Sequence, residues 1–195
     1  MRAVECRGTE AVVTEVPDPT PAPDEVVVEV DACGLCGSDV HTLQNGHAAD
    51  GQILGHEFSG RIAGVGRDVT GWREGQPVAA SPLGSCGKCR ICARGLAFRC
   101  EAAPNIGITR QGAYAQYVAV PARQLAALPD ELPVEIGSHA EPFSVGLQAA
   151  DAMPERVDAL NAYFETYCSG DAYDRNAITH VMACSSHFPG LLLRS

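Results

Sequence analysis

Apolar positions in the first 35 residues gather in two valine-rich runs, EAVVTEV and EVVVEVDAC, with the proline-rich PDPTPAPD between them. β-Branched side chains favour extended backbone, and the prolines mark a turn, so residues 1–35 read as strands. CGSDVHTLQ, residues 36–44, has Ser38 or Asp39 near its start and reads as a helical turn. HEFSGRIAGVG, residues 56–66, reads as a further strand ending in glycines, and QPVAAS and GAYAQYVAV add more. Many short strands punctuated by Gly and Pro predict a mainly β, barrel-like domain with some helix. From Glu141 the pattern turns helical, with Phe143, Leu147 and Ala150 at helix-like spacing. Further on, Val157, Leu160, Phe164 and Tyr167 fall on one helical face ending at Ser169 and Gly170, and the remaining tail is irregular.

GRIAGVG within the strand at 56–66 has the order GxxxGxG and no evident helix after it. A phosphate-cradling loop needs a different glycine order that opens a helix, so these glycines read as strand and turn.

Composition narrows the function classes. The chain has 195 residues, 46% hydrophobic and 19% charged, which suits a globular protein with one substantial core. A net charge of -10 argues against a nucleic-acid partner, which would want clustered Lys and Arg. No apolar run approaches the roughly 18 residues needed to span a bilayer, and MRAVECRGTEAVVTEV lacks the apolar centre of a secretion signal. The expected compartment is the cytoplasm, where thiols stay reduced and clustered cysteines bind metal.

The nine cysteines include such a cluster. Cys86, Cys89, Cys92 and Cys100 lie at CxxCxxCx7C spacing in GSCGKCRICARGLAFRC, three of them within one tight turn eased by Gly84, Gly87 and Gly95. Four thiolates can converge on one zinc ion in a closed tetrahedral site. Such a site leaves no position for water or substrate, so its role is structural, and chemistry requires a second site. Cys36, His56 and Glu57 offer a thiolate, an imidazole and a carboxylate, all standard zinc ligands. Taken singly, the default reading is core filler for Cys36 and a satisfied strand histidine for His56.

CGLCGSDVH, LGHEFSG, GSCGKCRICARGLAFRC and AEPFSVGLQA follow one another in this order. Together they make residues 1 to about 150 resemble the catalytic domain of the zinc-dependent medium-chain alcohol and polyol dehydrogenases, in the sorbitol or threonine dehydrogenase-like branch. The resemblance implies a GroES-like, partly open β-barrel carrying one catalytic and one structural zinc. By the same resemblance, Cys36 and His56 are the constant catalytic ligands. Glu57 is the carboxylate beside the metal, as ligand or just behind it, and Glu141 supplies another ligand or a water contact. Cys86, Cys89, Cys92 and Cys100 are the structural set. Ser38 accepts the alcohol proton, His41 relays it to solvent, and Asp39 orients the His56 ring. Implied too are a small alcohol or polyol substrate and NAD(P), with oligomer formation left open. Cys33 has no motif role and reads as core, and His47 edges the substrate cleft or is simply solvated.

Dehydrogenases of this kind continue into a Rossmann domain, a strand followed by GxGxxG opening a helix. No such motif follows Ala150 in the remaining 45 residues. The expectation is therefore a catalytic domain at 1–150, then a helix and tail at 151–195 that make no complete domain. Residues 155–173 are similar to the first helix of SnoaL-like, NTF2-like domains, but 45 residues are too few for that fold. Truncation, fusion or frameshift would each give such a junction. The chain is accordingly expected to be inactive alone, with a non-catalytic zinc-binding remnant as the alternative.

Overall fold

A computed structural model describes residues 1–96 and 99–152. The helical face at Val157–Tyr167, the stretch at 155–173 and the tail lie outside the described residues. The described part is mainly β. β1 (Arg2–Arg7) and β2 (Glu10–Glu15) form a hairpin. β3 (Glu25–Gly34), β4 (Glu57–Val65), β5 (Pro77–Ala80), β6 (Tyr117–Pro121) and β7 (Leu125–Ala127) form an antiparallel sheet in the order β6-β3-β4-β5-β7. The helices are α1 (Gly37–Gln44), α2 (Arg90–Ala93) and α3 (Ala140–Ala152).

Alternation explains the core. Val26 and Val28 of β3 pair with Val120 and Val118 of β6, and all four are buried on the same face. Phe58 and Ile62 of β4, Val78 of β5 and Ile106 from the following loop complete the cluster. The second valine run is thus a strand whose β-branched side chains fill this interior, whereas the first, in β2, lies outside it, with Val13 70% exposed.

The sheet curls. β6 and β7 occupy its opposite edges, yet only the 3₁₀ turn Ala122–Gln124 separates them in the chain. Four Cα steps reach at most roughly 15 Å, whereas the outer strands of a flat five-stranded sheet stand about 19 Å apart. Irregularities in the β3–β4 register at Val27/Val28 and Val30/Ala32 provide bends of the kind that curvature needs. β6 and β7 do not pair with each other, so the barrel stays partly open there, as the resemblance implies.

The predicted strand at GAYAQYVAV is shorter than expected. Only Tyr117–Pro121 is regular strand, while residues 112–114 bond to the backbone of Ile53, Leu54 and Gly55. GRIAGVG is strand β4 through Val65, as read. α3 forms where its periodicity predicts, but Phe143 and Leu147 on its apolar face are 46% and 58% exposed. No described helix is long and apolar enough to cross a membrane.

Candidate metal centres and the family they identify

The antiparallel register creates the first site. Gly34, last residue of β3, pairs with Glu57, first residue of β4. Cys36 follows two residues beyond one strand end and His56 immediately precedes the other, so pairing brings together residues 20 apart in sequence. Cys36, His56 and Glu57 are all buried, and their ligand atoms lie within 4.8 Å of one another. Gly34 leaves room for the cluster, because a Cβ there would overlap the Glu57 carboxylate.

α1 supports this group. Cys36 is its N-cap residue, and the Asp39 carboxylate accepts the Cys36 backbone N–H at 3.3 Å. Asp39 is 5% exposed and His56 7%, so each needs its charge or dipole answered within the protein. Asp39 Oδ1 stands 3.4 Å from the buried His56 Nδ1, within ion-pair reach but without hydrogen-bond alignment. Tyr114 donates its hydroxyl proton to Asp39 Oδ2 at 2.6 Å, and that hydroxyl also lies 3.0 Å from the Gly34 carbonyl oxygen.

Burial works against charge on Asp39, but the His56 ring and the Tyr114 hydroxyl outweigh it and hold its carboxyl below the usual value. Burial also opposes charge on His56, yet Asp39 and Cys36 reverse the balance and push it up to about 10. Glu57 and Glu141 are raised, mainly by burial. Burial and Asp39 push Tyr114 up as well, so its hydroxyl stays a donor. A pocket of thiol and carboxylate groups that draws a proton onto its imidazole favours positive charge. That donor set fits zinc.

The remaining predicted residues take distinct places. Glu141, in the first turn of α3, lies outside the three-residue set but near enough for its pKa to respond to His56 and Glu57. Ser38 is half-buried on α1, and His41, three residues on, is exposed. Cys33 is half-buried against the main core, with its thiol pushed up to about 12 by burial first and Asp39 second. His47 is exposed just after α1. Sequence reasoning missed Tyr114, and it missed His139, whose charge reaches Glu57. A tyrosine after the glycine of GAYAQY carried no signal of its partner.

The second site sits in the excursion between β5 and β6. Cys86, Cys89, Cys92 and Cys100 bring their sulfurs within 4.8 Å of one another. Sγ of Cys89 lies 3.5 Å from that of Cys92 and 3.9 Å from that of Cys100, and no disulfide joins them. Backbone N–H groups point at the sulfurs, from Cys89 to Cys86 Sγ at 3.3 Å and from Cys92 to Cys89 Sγ at 3.4 Å. Such donors stabilise thiolates, and those of Lys88 and Cys89 lower the Cys86 pKa. Four convergent sulfurs with amide support fit a closed zinc site, the arrangement the spacing predicts.

Residues 22–130 match the alcohol dehydrogenase GroES-like domain family. The L-threonine 3-dehydrogenase of Stenotrophomonas maltophilia is 37% identical over 134 residues, covering 66% of this chain and 39% of that protein. Among solved structures, galactitol-1-phosphate dehydrogenase from Escherichia coli superposes with a TM-score of 0.70 at 38% identity, over 75% of this chain and 43% of that one. A protein described as a zinc-binding dehydrogenase bound to NADP, from Sinorhizobium meliloti, gives 0.72 at 35% identity, over 77% and 45%. The chain spans about two fifths of the length of the curated relatives it matches. By the match over 22–130, the chain belongs to the alcohol dehydrogenase family through its GroES-like domain.

Proposed function

We propose that residues 1–150 form the metal-holding, alcohol-binding half of a zinc-dependent alcohol or polyol dehydrogenase acting in the cytoplasm. The observation that carries this is the buried set Cys36, His56 and Glu57, offering one sulfur, one nitrogen and one oxygen within 4.8 Å, apart from a closed four-thiolate cluster. Zinc held there would supply Lewis acidity toward an alcohol or carbonyl oxygen, and a nicotinamide cofactor would take the hydride. Asp39 faces Nδ1 of His56 and leaves Nε2 for the metal, fixing ring orientation through the second nitrogen. Ser38 takes the alcohol proton. His41, one helical turn along the same face of α1, passes it to water, since its side chain reaches the surface. Glu141 approaches from α3 as a further ligand or a water contact. The four-cysteine site holds the excursion at residues 84–100 in shape. The substrate class follows the relatives, which are named for threonine and galactitol phosphate. NAD(P) enters this reading through the family, and none of the residues named here is assigned to hold it.

Cobalt substitution tests the reading. Two cobalt ions per chain are expected. One should show an all-thiolate spectrum, and the other a one-thiolate spectrum that changes when an alcohol or carboxylate is added. A single ion with an all-thiolate, ligand-insensitive spectrum would leave only the non-catalytic remnant.

A further inference from the structure

We infer that Tyr114 is a positioning residue for the Cys36–His56–Glu57 centre, acting through Asp39; this rests on that centre being a metal site. Tyr114 joins the two segments that supply the ligands. Its backbone N–H donates to Leu54 O at 3.0 Å, and the preceding Ala113 N–H donates to Gly55 O at 2.9 Å, so it is pinned to the turn that delivers His56 and Glu57. Its ring packs on Gly55, where a Cβ would come within 2.7 Å of the ring edge and where φ is +93°, so glycine is required twice over. Leu54, Cys6, Ala48 and Leu43 close around it. From this anchor the hydroxyl crosses to the other segment, donating to Asp39 Oδ2 at 2.6 Å and lying 3.0 Å from the carbonyl of Gly34.

Asp39 therefore has one oxygen held by Tyr114 and the Cys36 N–H while the other faces His56. A carboxylate tethered on one side cannot rotate away from the imidazole. Loss of such outer support typically costs about 10- to 100-fold in metal affinity.

The test uses cadmium in place of zinc in the full chain, with Tyr114→Phe removing only the hydroxyl. Cadmium NMR separates a four-thiolate resonance from a one-thiolate resonance, and competition with a chelator gives each affinity. The wild type should show both resonances. Tyr114→Phe should weaken the one-thiolate site about 10-fold or more and leave the four-thiolate site and the melting temperature nearly unchanged. In an Asp39→Asn background the same substitution should have little further effect, because its route runs through Asp39. Equal affinities in wild type and Tyr114→Phe, or an undiminished loss in the Asp39→Asn background, overturn the inference while sparing the metal site. A wild type showing only the four-thiolate resonance overturns both.

Discussion

At the residue scale, the two ligand sets differ in how they connect to folding. The four cysteines converge within the excursion that carries the short helix α2, so zinc would tie that excursion together. His56 instead sits just before β4, the middle strand of a sheet whose core already holds. Protein purified without chelator should contain about two zinc ions per chain. Cys89→Ser should remove one and cost about 3 kcal/mol or more, since structural zinc binding is folding free energy. That corresponds to a melting temperature lower by roughly 6–12 °C in a chain of this size. His56→Ala should remove the other ion with a smaller loss. Metal analysis beside thermal melts checks both, and two variants lacking the same ion would refute the assignment of separate sites.

At the element scale, the β3–β4 pairing does most of the positioning, so its tolerances can be tested on one strand. Gly60 and Gly64 both lie in β4. A Cβ at Gly60 would collide with the Glu29 carbonyl of β3, whereas at Gly64 it would sit 3.9 Å from Val27, an ordinary contact. Gly60→Ala should destabilise by about 1–3 kcal/mol through overpacking. Gly64→Ala should stay within about 0.5 kcal/mol. Urea melts of the pair decide it: equal midpoints would mean that the strands separate more easily than their register implies. Phe58, on β4 and fully buried in the main core, should cost about 3–5 kcal/mol as Phe58→Ala.

At the scale of the whole molecule, hydride transfer needs a dinucleotide held against the substrate carbon, and positioning of that kind is worth roughly 7–11 kcal/mol of barrier. The sequence contains no GxGxxG. The 195-residue chain should therefore show no saturable binding of NADH or NADPH by fluorescence titration. Nor should it measurably oxidise ethanol, sorbitol or threonine with both zinc sites filled. Saturable binding would mean that a cofactor site exists outside the glycine-rich pattern.

What could be read from the sequence was local. The spacing of Cys86, Cys89, Cys92 and Cys100 confines four thiols to one short excursion, so their convergence needs little knowledge of the rest. Valine runs marked β2 and β3, the latter filling a curled interior with its β-branched residues, and Ser38 and Asp39 marked the start of α1. The motifs around Cys36 and His56 named candidates, but no local rule brings residues 20 apart into contact. The Gly34–Glu57 register does that, and the register follows from which valines can face the core. Tertiary structure alone also set Glu141 beside the centre rather than within the three-residue cluster, and brought Tyr114 to Asp39 across 75 positions of sequence. A hydroxyl's partner depends on where two distant backbones are pinned, and that information resides in packing rather than in the identity of either residue.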